Sequence, residues 1–357
     1  FGSRQIEGAV LVAGQSRQDL QKVSNINMQP FGGTGLLTSK LGFGCMGITA
    51  FYGASMEDDK AIELLKAAYD MGYRHFDTAE AYKSETKHNE EQVGAFLKTV
   101  PRDSFTIATK FWPSNHKQDL ASVTEAVDAS LKRLGLDYID LYYSHRPQET
   151  LEEALEWMTS MKQIVASGKV KYVGLSEYNP EWTRKMHAIH PVAAMQIEWS
   201  LITRNLVEEV LLETCRDLKI GIVAYSPLAR NLLAAPPTET PSDFRASVPR
   251  YSAENLARNK ELCQKIEELG KARGASAAQL SLAWLYYKAA ELGIDAIAIP
   301  GTTKIANAKT NIDSVGITLT KEDAAALEEL AALVAGKRGN DWYEGVSLEG
   351  NMKKMDG

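Results

Sequence analysis

Phe105-Thr-Ile-Ala-Thr-Lys110 is a short apolar run of strand-forming residues, and Tyr138-Ile-Asp-Leu-Tyr-Tyr143 is another. Between them, Asp119 to Leu134 sets Val123, Ala126, Val127 and Leu131 on one helical face and stops before Gly135. A strand, a crossover helix and a second strand form a parallel unit.

The same unit recurs in both directions. Upstream lie Leu41-Gly-Phe-Gly-Cys45 and Tyr73 to Asp77; downstream lie Val170 to Leu175, Val192 to Gln196, Ile220 to Tyr225 and Ala296 to Ile299, which makes eight strand-like runs. Helical segments separate them: Glu57 to Met71, Leu151 to Ala166 with Ser167-Gly168 as its stop, a helix opening at Pro180, Asn205 to Leu218, and Ala253 to Arg273. Eight strand–helix units predict an α/β fold, a closed (β/α)8 TIM barrel. The rival is an open doubly wound sheet with a glycine-rich first turn. Gly42-Phe-Gly-Cys-Met-Gly47 has that spacing, but its first glycines fall inside a strand run, so it reads as a coincidental match.

Two decorations stand outside the repeat. Gly32 to Ser39 reads as an N-terminal hairpin that plugs the bottom of the barrel. The proline-rich stretch from Leu228 to about Ser252 reads as a long loop after strand 7, of the kind that often serves function. Residues 1–27 read as an N-terminal extension, whether a tag, a processed leader or a disordered segment, and 28–357 as one barrel domain. The chain of 357 residues carries a net charge of −6 with mixed signs, which speaks against a nucleic-acid partner. No apolar run is long enough for a membrane span. Cys45, Cys215 and Cys263 are dispersed and read as reduced buried thiols, and the histidines show no metal-ligand spacing. A cytoplasmic location follows, or an organellar one if residues 1–27 are a leader. The oligomer stays open between monomer and homo-oligomer.

A barrel carries its chemistry at the carboxyl ends of its strands. Reading off those ends gives Asp77 with Tyr82 in the following loop, then Lys110, then Ser144-His145, each one unit after the last. Taken singly, a Lys–Asp pair or an interior histidine is ordinary structure. Together they bring an acid, a cation, a phenol and an imidazole to one face. A lysine ammonium would lower a tyrosine's pKa, an aspartate would keep that lysine charged, and a neutral histidine can orient a carbonyl oxygen. The set contains no nucleophile and no metal. It suits protonation of a carbonyl reduced by a cofactor's hydride.

These residues, with Gly174-Leu-Ser176, Tyr225-Ser-Pro-Leu228 and Ile299-Pro-Gly-Thr302, resemble the aldo-keto reductases from about Met28 to Leu333. Asp243-Phe-Arg, Pro249 to Leu256 and Cys45-Met-Gly47 look like the perakine-reductase branch. The resemblance implies an NADP-dependent aldo-keto reductase of the alcohol dehydrogenase (NADP+) type, which reduces aldehydes or ketones with NADPH and releases NADP+. It implies Asp77, Tyr82, Lys110 and His145 as catalytic residues. Ser176, Asn179 and Gln196 would hold the carboxamide, Tyr225 would stack on the nicotinamide, and Ser226, Pro227, Leu228, Arg230 and Leu232 would cover the pyrophosphate. Gly301, Thr302, Lys304, Asn307 and Asn311 would grip the adenosine 2′-phosphate and adenine, although Lys304 reads equally as a solvated helix start. Tyr52, Trp112 and His145 are the substrate-side candidates, with rim packing as the other reading of Tyr52 and Trp112. The family's Pro-Leu-Gly-Arg-Gly reads Pro227-Leu-Ala-Arg-Asn231 here, and Lys83 to His88 departs from the usual loop after the tyrosine. A regulatory subunit of the channel β-subunit type, binding NADPH with slow turnover, is the alternative. A metal-dependent barrel hydrolase is a weaker third reading, disfavoured by the missing ligand cluster.

Overall fold

The structure is a computed structural model and describes residues 28–354; the stretch read as an extension, residues 1–27, lies outside them. An antiparallel hairpin, β1 (Gln29–Phe31) and β2 (Leu36–Thr38), opens the described chain. Eight parallel strands follow: β3 (Phe43–Gly44), β4 (His75–Asp77), β5 (Thr106–Phe111), β6 (Ile139–Ser144), β7 (Val170–Ser176), β8 (Val192–Glu198), β9 (Gly221–Tyr225) and β10 (Ala296–Ala298). They pair in sequence order. A parallel bridge from Leu41 to Ala298, with the Gly42 N–H donating to the Ala298 carbonyl at 2.9 Å, joins the last strand to the first and closes the barrel.

Helices return the chain between strands. They are α1 (Met46–Thr49), α2 (Asp58–Asp70), α3 (Asn89–Leu97), α4 (Leu120–Leu134), α5 (Leu151–Ala166), α6 (Pro180–Ile189), α7 (Leu212–Leu218), α8 (Ala253–Lys271), α9 (Ala277–Leu292), α10 (Ile305–Asp313) and α11 (Lys321–Ala331). Local chemistry sets their ends. Asp119 caps α4, which stops at left-handed Gly135, and Thr150 with Glu153 forms a capping box on α5. Two short helices, α12 (Asp341–Gly345) and α13 (Leu348–Lys353), form a C-terminal strap tied to the exits of β7 and β9.

The barrel interior and the helix–sheet layer are separate apolar clusters. Phe31 and Leu36 of the hairpin pack inside the barrel with Ala108, Leu141, Tyr143 and Val223. The hairpin is therefore the bottom plug, and burial of Phe31 contributes on the order of 2 kcal/mol. Gly221 makes room for it, since a Cβ there would meet the Phe31 ring at 2.4 Å. The first run, Leu41 to Cys45, yields only a two-residue strand at Phe43–Gly44, because Cys45, whose N–H still bonds the Asp77 carbonyl of β4, already turns into α1. Gly32 to Gly35 form the hairpin turn and β1 begins before them, upstream of the expected boundary.

Candidate active site

Strand exits place the four-residue set. Asp77 ends β4, Lys110 lies near the end of β5, and His145 follows β6. The Lys110 ammonium is completely buried and donates to Asp77 Oδ1 at 2.5 Å, to the Thr78 carbonyl at 2.7 Å and to the Tyr82 hydroxyl at 3.3 Å. The other Asp77 oxygen accepts from Gln196 Nε2 at 2.8 Å. Burial drives the ammonium toward neutrality, and Asp77 with Tyr82 outweighs it, so Lys110 stays charged. The His145 ring meets Tyr82 edge-on at 5.5 Å and Trp112 at 4.9 Å. Burial, with Lys110 and Arg146 adding to it, pushes His145 well below the usual imidazole range and keeps it neutral.

Tyr82 departs from expectation in one respect. Lys110 does pull its pKa down, but burial is the larger effect, and the phenol lies above its ordinary value. A buried phenolate lacks water, and one ammonium at 3.3 Å does not replace it. The group is a phenol at neutral pH, poised to give a proton rather than take one.

Asn89, which the sequence marks only as the residue after the unusual loop, fixes that loop. Its N–H donates to the Tyr82 carbonyl at 2.9 Å, its Nδ2 to the Cys45 carbonyl at 2.9 Å, and its Oδ1 accepts from the Thr78 hydroxyl. The unusual Lys83–His88 segment closes on itself by a bridge between those two residues. Lys87 anchors it to Glu57 at 3.0 Å and to the Met56 carbonyl at 2.9 Å.

A cavity of about 500 Å³ runs from Tyr82 across the barrel mouth to α10. Its wall brings together Tyr52, Asp77, Tyr82, Gln196, Tyr225, Ser226, Pro227, Leu228 and Arg230, then Gly301, Thr302, Lys304, Asn307 and Asn311. Several expected residues stand off the wall. Lys110 is beneath Tyr82, His145 and Trp112 are beside it, and Leu232 is buried under the loop. Ser176 is enclosed, with its Oγ 3.4 Å from Arg146 Nη1. Asn179 is spent on structure: its Oδ1 caps α6 at the Trp182 N–H (2.8 Å) and its Nδ2 donates to the Asn351 carbonyl. Arg230 reaches the wall, but its guanidinium is committed to Glu198 at 3.0 Å and to the Arg338 carbonyl at 2.8 Å. The two lost loop glycines matter to the backbone. Ala229 and Asn231 both sit in the left-handed region, at φ +48° and +86°, as does Arg230 between them at +53°.

A buried ionic cluster behind Tyr225 was not legible in the sequence. The Glu177 carboxylate, next to Ser176, accepts from Arg338 at 2.9 and 2.8 Å, from the Tyr225 hydroxyl at 2.5 Å and from the Leu348 N–H at 2.8 Å. Burial pushes this carboxyl up, but Arg338 outweighs it and leaves the pKa at about 2. Glu198 pairs with Arg230 at 3.0 Å and with Arg250 at 3.5 Å. The Tyr343 hydroxyl, from the strap, bonds that of Tyr225. An acid at a strand exit was the one available signal; Arg338 and Tyr343 lie beyond the recognised likeness.

Among the described residues, no helix is long and apolar enough to cross a membrane, and no three His, Cys, Asp or Glu side chains gather as a metal site would require.

Comparison with known proteins agrees with this fold. The chain is 40% identical over 337 residues to "Probable aldo-keto reductase 1" of Glycine max, covering 91% of this chain and 94% of that one. The glycerol dehydrogenase AKR11B4 from Gluconobacter oxydans superposes with a TM-score of 0.73 at 25% identity, over 86% of this chain and 94% of its own. An aldo-keto reductase from Klebsiella pneumoniae, solved in complex with NADPH, gives 0.66 at 24% identity, over 88% and 98%. A profile described as "Aldo/keto reductase family" matches residues 40–332, the stretch that runs from the first barrel strand through α11 and carries Asp77, Tyr82, Lys110 and His145. The chain belongs to the aldo/keto reductase family.

Proposed function

We propose that the protein reduces aldehydes or ketones to alcohols with NADPH, and that Tyr82 supplies the proton. One observation carries the reading: a fully buried ammonium, Lys110, bridges a carboxylate at 2.5 Å and a phenol at 3.3 Å on the wall of a cavity. Burying a charge is costly unless it is matched, and the match here ends on an ionisable hydroxyl.

The donor set along the cavity suits the cofactor. An aromatic ring, Tyr225, stands at the reaction end, beside the Gln196 amide, and one cation, Lys304, stands with Thr302, Asn307 and Asn311 at the far end. The cation and its polar neighbours fit a 2′-phosphate, which favours NADPH over NADH. When bound, the nicotinamide supplies a hydride to the carbonyl carbon. Tyr82 then gives its proton to the oxygen, and the charge left on the phenolate falls next to Lys110. Asp77 keeps Lys110 protonated, and Gln196 holds Asp77 in place. His145, held neutral, serves as a hydrogen-bond donor to the same carbonyl oxygen. In the reverse direction the Tyr82 phenolate would take the alcohol proton, with Lys110 still charged and His145 still neutral.

A cofactor titration followed by single-turnover mixing with a panel of aldehydes and ketones tests this. Loss of reduced-nicotinamide absorbance in proportion to alcohol formed is expected. Tight NADPH binding without hydride transfer to any of them would point to a cofactor-binding regulatory subunit and sink the enzyme reading.

A further inference from the structure

Beside His145 stands a cation with no carboxylate in direct contact. Arg146 is half-buried, with its Nε enclosed and without a partner. Its Nη1 donates to the His145 carbonyl at 2.9 Å and approaches Ser176 Oγ at 3.4 Å. Among the described residues it forms no ion pair with a carboxylate. Its electrostatic neighbours are Tyr225, Tyr343, Glu177 and Tyr82, which together outweigh burial and favour its charge; three of these are phenols, and the guanidinium lies 5.7 Å from the centre of the Tyr343 ring.

The one nearby carboxylate is already taken. Both oxygens of Glu177 are filled by the Arg338 fork, the Tyr225 hydroxyl and the Leu348 N–H. Glu198 serves Arg230 and Arg250, and Glu349 serves Arg338. Four guanidiniums therefore meet three carboxylates, and the unmatched one is next to the residue that faces the reacting carbonyl. Guanidinium groups in enclosed places are normally paired, because leaving one unpaired is expensive. Such a surplus at a site is met by an anion that arrives with the ligand.

The mouth of the adjoining cavity supplies the other half of that ligand's chemistry. Phe51 is half exposed, edge-on to Tyr82 at 6.4 Å and to Phe244 at 5.9 Å, and Tyr52 meets Phe244 at 5.1 Å. Phe51 holds φ at +71°, a strained conformation for a bulky residue. Strain of that kind gathers at functional sites. Aromatic edges from the loops after β3 and β9 thus surround the approach to Tyr82.

We propose that Arg146 is a carboxylate-recognition residue and that the preferred substrates are carbonyl compounds with an aromatic or apolar body and an anionic carboxylate. This rests on the reductase reading and names its substrate class. The probes are 2- and 4-carboxybenzaldehyde, each compared with its uncharged methyl ester, with the NADPH-loaded protein. The wild type should favour at least one acid over its ester by about tenfold in kcat/KM, through KM, as a charge-assisted fork contact allows. In Arg146→Gln that ratio should fall to about one, and Arg146→Lys should retain part of it. Benzoate binding to the NADP+-loaded protein, followed by calorimetry, should weaken in parallel in Arg146→Gln, a readout independent of turnover. Esters reduced as well as both acids by the wild type would overturn the proposal while leaving the reductase reading intact. So would an Arg146→Gln variant whose acid-to-ester ratio is unchanged, or one that loses NADPH affinity alone, which would assign the guanidinium to the cofactor's carboxamide. Failure to reduce any of the four aldehydes would count against the reductase reading itself.

Discussion

Removing Arg338 should expose how strongly the C-terminal strap holds the back of the site. Its guanidinium forks onto Glu177 at 2.9 and 2.8 Å and also pairs with Glu349. Glu177 is wholly buried, so Arg338→Met leaves a carboxylate that keeps only the Tyr225 hydroxyl and the Leu348 N–H. Breaking a buried pair from one side costs about 3–5 kcal/mol, whereas removing both members together costs much less. Glu177→Gln/Arg338→Met should therefore be more stable than Arg338→Met alone, and the cycle should report coupling of about 2–3 kcal/mol. The pH dependence gives a second handle. Glu177 is depressed to about 2 from an ordinary 4.5, so its contribution is complete above about pH 4.5 and is lost as pH falls through about 2. That gap corresponds to about 3 kcal/mol. In Arg338→Met, with burial now unopposed by that cation, the slope between those pH values should flatten or reverse. Urea midpoints measured across that range for wild type, both single variants and the double variant decide the matter. A single variant within about 1 kcal/mol of wild type with an unchanged acid limb would refute the reasoning.

The same structure carries three further expectations. The rate of carbonyl reduction should be flat between about pH 6 and 8, because burial holds His145 neutral, and should fall only as pH rises beyond the ordinary tyrosine value of 10, because burial holds Tyr82 above it; a pH–rate profile with an acid limb near 6.5 would contradict this. Lys304→Ala should weaken NADPH binding by about tenfold and leave NADH binding nearly unchanged, measured by fluorescence titration, since it is the one cation among the wall residues at that end of the cavity. Ala229→Gly should raise stability by up to about 1 kcal/mol by relieving its left-handed backbone, with a smaller gain for Asn231→Gly because asparagine tolerates that conformation, as thermal unfolding would show.

The barrel was legible because its signal is long-range. Runs such as Thr106–Phe111 and Ile139–Ser144, separated by amphipathic helices, announce parallel strands, and the strand exits then line up Asp77, Lys110 and His145. Boundaries were less legible where packing overrides local pattern. Leu41 to Cys45 reads as a five-residue strand, yet Cys45 already has helical backbone angles, φ −85° and ψ −8°, and caps α1. Helix α9 was missed because Ala277–Leu292 is buried on nearly every side and shows little amphipathic contrast. Side-chain partnerships were the least legible. Asn179 looked like a carboxamide ligand by position, but the strap's Asn351, far away in sequence, engages it. Arg230 looked free for a phosphate, but Glu198 takes it. The departure from Gly at 229 and 231 was visible in the sequence, and its meaning, two strained residues over the cavity, came only from the backbone angles.

We assign proton donation to Tyr82, held by Lys110. Tyr82→Phe removes one hydroxyl and leaves the ring packed against His145 and Phe51. With NADPH and a reducible aldehyde, the variant should bind the cofactor with wild-type affinity and lose turnover by at least about a hundredfold. Undiminished reduction by that variant would contradict the assignment.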